Sequence, residues 1–171
     1  MNLAANAPLW LVILLAAILV AAAAEDAARL RISNLTCLAV LSTALLAMLT
    51  HGFDMSLWQN WAGFAIILAL GTAAFAGGLL GGGDVKLLAA LALWFDLFGT
   101  AWLIGATFVA GGLVAAFFIL SRTVRKKKSA NWKSSQIPYG LAIAAGALFV
   151  LGTQAGQRFQ APGAPVLATP T

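Results

Sequence analysis

Charge is scarce in this chain. Of 171 residues, ten are Lys or Arg and five are Asp or Glu, whereas 62% are apolar. A soluble domain has about a quarter of its residues charged. A chain this short cannot hide such an apolar excess in a core, because a small domain leaves much of its surface in water. A soluble globular protein is excluded, and so is a disordered one, which needs a polar or densely charged composition. The single cysteine, Cys37, leaves neither an internal disulfide nor a cysteine-based zinc cluster. The single histidine, His51, excludes a His-rich metal site and the H-E-x-x-H pair. What remains is an integral membrane protein. At about 20 residues per span, it has no room for a soluble domain.

What is present are continuous apolar runs rich in Ala and Leu, which read as helices rather than alternating strands. They fall at 8–24, 35–50, 58–80, 85–99, 101–120 and 137–152, and predict an all-α membrane protein with six transmembrane helices. Residues 1–158 then form one polytopic domain, and 159–171, rich in Pro, Ala and Thr, a disordered tail. The segment before the first run lacks Lys and Arg, so that run is expected to be an uncleaved span rather than a signal peptide.

The basic residues orient the spans. Arg29, Arg31, Lys86, Arg122, Arg125, Lys126, Lys127, Lys128 and Lys133 lie in the loops after spans one, three and five, and Arg158 alone lies opposite. By the positive-inside rule those loops are cytoplasmic and both termini periplasmic. The basic 122–133 loop is therefore an anchor touching anionic lipid, and nucleic acid is not an expected partner.

Only five acids need weighing. Asp54 lies in an outer loop beside His51, and reads as solvated. Asp96 is expected on the helix of Asp84, roughly 18 Å along it and close to the outer surface. Asp26 and Asp84 differ: the topology brings both to the cytoplasmic surface. Two adjoining carboxylates can share one proton, because like charges cannot both ionise at close range. One then activates water while the other polarises a carbonyl, as in aspartic proteases. Before Asp84, the run Gly81-Gly82-Gly83 is expected to break the third helix and allow positive φ and close backbone approach. The alternative is a tight glycine turn with Asp84 as an N-cap.

These residues carry a resemblance. Gly81-Gly82-Gly83-Asp84 matches the G-x-G-D motif of the membrane aspartic proteases. The stretch from Gly81 through Lys86 to Ala90 resembles the type IV prepilin peptidases in particular, and so does Asp26-Ala-Ala-Arg29-Leu-Arg31-Ile32-Ser33-Asn34. The family pattern has Ile-Pro-Asn where this chain has Ile32-Ser33-Asn34, and Ser33 is expected to cap the second helix instead. A third segment, Ile137-Pro138-Tyr139-Gly140 onward, resembles the last helix of the small peptidases of Flp-type, tight-adherence pili.

The resemblance implies a membrane aspartic endopeptidase of the bacterial inner membrane. It would remove the leader peptide of a prepilin on the cytoplasmic face, after a glycine that precedes the pilin's hydrophobic helix. It implies Asp26 and Asp84 as the catalytic pair, with Glu25 a mere neighbour. Gly81, Gly83, Lys86 and Asn34 support the motif, and Pro138, Tyr139 and Gly140 lie near the substrate. No metal or other cofactor is expected, and the partners are the prepilin and membrane lipid. The large relatives carry a cysteine-bearing insert and also N-methylate the mature pilin. This chain has no such insert, which implies a peptidase without methyltransferase activity. The competing class is a non-catalytic membrane component of pilus assembly, with Ser33 its one supporting feature.

Overall fold

A computed structural model describes residues 2–52, 54–124 and 139–159, and every described element is helical. A short turn, α1 (Leu3–Asn6), precedes α2 (Leu9–Arg29) and α3 (Asn34–His51). A 3-10 turn at Met55–Leu57 leads into α4 (Trp58–Ala76), which is followed by α5 (Gly82–Ala92), α6 (Leu97–Val124) and α7 (Tyr139–Phe159). Among the described residues, four helical segments are long and apolar enough to cross a membrane: Leu9–Arg29, Asn34–His51, Met55–Ala76 and Leu97–Phe117. A shorter apolar helix covers Tyr139–Gln154. The expected tail beyond Phe159 lies outside the described residues, as do Pro138 and residues 125–133 of the basic loop.

The expected span at 85–99 is not a helix of that extent. The helix α5 holds 11 residues, about 16 Å at 1.5 Å per residue, against a hydrocarbon core of about 30 Å. It stops inside the bundle, where the last carbonyls of a helix need partners. The Trp94 and Phe95 amides take Leu91 O and Ala92 O at 2.9 and 3.2 Å; of the carbonyls that follow, Leu93 O accepts Nδ2 of buried Asn60 of α4 at 2.8 Å and Trp94 O accepts the Ala4 amide at 3.1 Å. The break hides in the sequence because residues 93–95 are Leu, Trp and Phe, all fully buried. They continue the hydropathy of the helix they end.

This stop also corrects the placement of Asp96. It does not lie on the helix of Asp84. It opens α6 by accepting the Gly99 amide on Oδ1 at 2.7 Å and the Thr100 amide on its carbonyl at 2.8 Å. The run expected at 58–80 likewise ends early, at Ala76. Gly77 closes α4 with its amide on Ala73 O, and Gly78 takes φ 71°, a conformation that favours glycine.

The bundle is organised around α5. It packs against α4, α3 and α7, while α2 lies against α7 and α3, and α6 against α7. On α5, Val85, Leu87, Ala89, Ala90, Leu91 and Ala92 are buried. The long helices instead expose large apolar side chains such as Leu9, Trp10, Ile13, Leu70, Phe108 and Leu113. That outward apolar surface is what lipid contact requires, and inside it close packing, not expulsion of water, holds the helices together. A Cβ on Gly146 would stand 2.7 Å from Thr107 N, so α6 and α7 touch backbone to backbone there. The turn α1, with Leu3, Ala4 and Ala7 buried, packs against α7 and α3 at the end of the bundle where α2 begins.

Candidate active site

The site lies at the opposite end, where α2 finishes. The helix α2 runs past the expected limit at residue 24, so Asp26 is held on its last turn rather than beyond it. Leu30 then takes the left-handed conformation, φ 53°, and returns its amide to Asp26 O at 2.7 Å. A left-handed residue after the last turn is a common helix stop. The following residues extend to Ser33, whose Oγ accepts the Thr36 amide at 3.1 Å and caps α3. The expected cap in place of proline is present.

Asp26 is buried, with 4% of its surface exposed. The Leu141 amide donates to its Oδ2 at 3.1 Å, and a Cβ on Gly140 would stand 2.9 Å from both Cγ and Oδ2. Glycine at 140 therefore admits the carboxyl to the first turn of α7.

Asp84 occupies the first turn of α5. Gly81 is the N-cap position, and its amide donates to Asp84 Oδ2 at 3.2 Å. Asp84 is thus not the cap itself. Nor does the glycine run work through positive φ, since Gly81 has φ −75°. It works by close approach: a Cβ on Gly81 would fall 2.7 Å from Asp84 Oδ2, and one on Gly83 would fall 3.0 Å from Ile32 O. Asp84 lies outside the four long apolar segments. Partial burial, and then the nearby charge of Asp26, push its carboxyl up to about 6, against a lesser downward pull from the Gly81 amide.

Both aspartates line a polar pocket of about 290 Å³ with Leu30, Gly78, Gly81 and Tyr139. A second, of about 270 Å³, is lined by both aspartates with Ile32, Gly82 and Gly83. Beside them runs a largely apolar groove of about 540 Å³, walled by Ala74, Leu88, Phe108, Gly111, Gly112 and Ile143. Groove and first pocket share Leu79, Leu80, Asp84 and Tyr139. Lys86 donates its Nζ to Asn34 Oδ1 at 2.9 Å, tying α5 to the start of α3. The sequence-derived set Asp26, Asp84, Gly81, Gly83, Tyr139 and Gly140 therefore meets in one place, with Lys86 and Asn34 joined at its side. Asp54, on the other connection, is exposed and accepts the Ser56 amide at 2.9 Å. Among the described residues no group of three or more His, Cys, Asp or Glu is placed to hold a metal ion.

Sequence reading missed two groups. The Leu141 amide is a backbone donor with no side-chain signature, and only its neighbour Gly140 marked it. Glu25, read as a bystander, accepts the Ser33 amide at 3.2 Å and the Thr36 hydroxyl at 2.9 Å.

These features define the class: an all-helical, multi-pass membrane protein that gathers two carboxyl groups over one polar pocket beside an apolar groove. The model of the type IV leader peptidase family matches residues 13–121, which include both aspartates and the helices α3, α4 and α5. The chain belongs to that family, and with it to the peptidases, a class of hydrolase. No curated protein matches the chain, and no solved structure does.

Proposed function

We propose that the chain is the leader peptidase of Flp-type prepilins, cutting after a glycine on the cytoplasmic face of the bacterial inner membrane, with Asp26 and Asp84 as its catalytic pair. The observation that carries the reading is that two carboxyls from distant helices line the same pocket in unlike surroundings. Asp26 accepts a backbone amide at a helix N-terminus, and takes the role of the ionised base. Asp84, raised to about 6, holds the proton. A water between them gives its proton to Asp26 and attacks the scissile carbonyl, whose oxygen takes the proton of Asp84. Collapse of the tetrahedral adduct returns that oxygen's proton to Asp84 and passes the proton on Asp26 to the leaving amine. The apolar groove beside Asp84 suits the hydrophobic helix that follows a prepilin leader.

The topology belongs to the same proposal. Six crossings, the fourth running from Val85 along α5 into the buried turn after it, leave Asp84 in the connection before that span and put both aspartates on the cytoplasmic side and both termini in the periplasm. The nine-to-one distribution of basic residues supports this. Reporter fusions at Met55 and Ser129 then give opposite signals, and matching signals refute the six-span arrangement. Without the cysteine-bearing insert, mature pilin made with this enzyme alone keeps an unmodified N-terminal amine, which mass spectrometry reads directly.

The deciding experiment is co-expression with a Flp-type prepilin. Asp26→Asn and Asp84→Asn each leave the prepilin uncleaved at wild-type enzyme levels, because an amide can take neither role. Cleavage at a near wild-type rate by either variant refutes the aspartic mechanism. The cap that Ser33 gives α3, where the family pattern has proline, weighs against a non-catalytic assembly role.

A further inference from the structure

We propose that Glu25 is a positioning residue for the acid pair: its carboxylate locks the turn between α2 and α3, and through Ile32 that turn sets how α5 and α7 meet the two aspartates. The inference rests on the peptidase reading only for its kinetic arm. Glu25 Oε2 accepts two donors at once, the Ser33 amide at 3.2 Å and the Thr36 hydroxyl at 2.9 Å. The Ser33 and Thr36 hydroxyls are 2.8 Å apart, and Ser33 Oγ accepts the Thr36 amide. One acidic side chain on α2 thereby holds the first turn of α3.

The held segment touches both halves of the site. On one side, a Cβ on Gly83 would meet Ile32 O at 3.0 Å and Ile32 Cβ at 3.1 Å, so Ile32 lies directly on the first turn of α5, next to Asp84. On the other, a Cβ on Gly140 would meet Ile32 Cδ1 at 2.7 Å, so the same residue bears on the first turn of α7, which holds Asp26. Ile32 is a spacer between the two aspartate-bearing contacts, and Ser33, the next residue, is the one Glu25 grips. The turn needs gripping because Leu30 stands at φ 53°, where a branched side chain is strained.

A second way to stiffen the turn is available. Ser33 has φ −73° and ψ 149°, within the range proline enforces. Ser33→Pro therefore fits the backbone, gives up the amide that Glu25 holds and the Oγ that caps Thr36, and restricts the turn covalently instead. This makes the lock testable by rescue.

The test measures cleavage kinetics of the full-length enzyme in detergent with a synthetic prepilin peptide, together with hydrogen exchange at the Ser33 amide. Glu25→Ala lowers kcat about tenfold with KM within about twofold, since misplacement of reacting groups by a fraction of an ångström is costly. Glu25→Gln, whose carboxamide oxygen accepts the same donors, stays within about threefold of wild type. Glu25→Ala combined with Ser33→Pro recovers most of the lost kcat, a result that simple loss of folded protein does not give. The Ser33 amide exchanges faster in Glu25→Ala whether or not the peptide is cut, so failure of the lock and failure of the peptidase reading are separate outcomes. If Glu25→Ala does not insert, Thr36→Val, which removes one donor, carries the test with a smaller fall in kcat. Wild-type kcat in Glu25→Ala, equal damage from Glu25→Gln, absence of rescue by Ser33→Pro, or unchanged exchange at Ser33 each overturns the proposal.

Discussion

The two ends of α5 are built on opposite plans. At its start, glycines 81 and 83 remove side chains, and two carboxyls line a polar pocket of about 290 Å³. At its end, space is filled: Leu93, Trp94 and Phe95 are fully buried, Asn60 and the Ala4 amide take up the Leu93 and Trp94 carbonyls, and α1 packs against α7 and α3. The difference separates two uses of a helix terminus inside a membrane protein. One end leaves polar groups available for chemistry. The other satisfies every carbonyl it can, because an unpaired one in an apolar bundle is costly. Damage at the first end should appear as lost rate, and damage at the second as lost stability.

Short of removing a carboxyl, the largest expected effect is at the open end. Gly140→Ala places a methyl 2.9 Å from the Asp26 carboxyl carbon, and displacing that carboxyl lowers prepilin cleavage by roughly 100-fold at equal enzyme levels. A quantitative cleavage assay checks this. At the closed end, Asn60→Ala strands the Leu93 carbonyl and lowers unfolding stability by about 1–3 kcal/mol, while the rate per folded enzyme holds. Thermal unfolding in detergent, read beside the cleavage rate, tests that separation. A rate loss in Asn60→Ala larger than the loss of folded enzyme would break the comparison.

The pH dependence sharpens it further. With Asp84 raised to about 6, kcat/KM falls as pH rises through that value and the proton donor ionises. The same shift makes the open end a weakness. The folded state holds the Asp84 proton more tightly than the unfolded chain, so Asp84's contribution to stability declines between its ordinary value of 3.8 and about 6. Asp84→Asn, inactive, is therefore more stable than wild type at neutral pH and shows no such decline. Smallest of all are Asp54→Asn and Asp96→Asn, which cleave normally. Both aspartates serve local turns, and asparagine still accepts the amides they hold.

Most of the helices were legible because hydropathy reports burial in lipid directly, and Asp26 and Asp84 stood out because an acid is rare in such a chain. The end of α5 was not legible. Hydropathy cannot distinguish an apolar helix from an apolar turn whose carbonyls are satisfied by Asn60 and Ala4, residues distant in sequence. The glycine run was located correctly, and of its two expected effects the close approach beside Asp84 and Ile32 is present while the positive φ is not. Glu25 looked redundant because Asp26 carried the motif, and an acceptor for two donors on the next helix leaves no periodic trace. The turn α1 is too short to give a pattern at all.

The hydrogen bond from Leu141 to Asp26 joins residues 115 positions apart, and the separation is also an interval of time. Asp26 enters the membrane early in synthesis, and its amide partner is made roughly 6–23 s later at ordinary translation rates of about 5–20 residues per second. Until α7 docks, the carboxyl has no backbone donor and the pocket has no Tyr139 wall. A nascent chain halted before Tyr139 therefore contains both aspartates but lacks the Leu141 amide and the Tyr139 wall of the pocket they line.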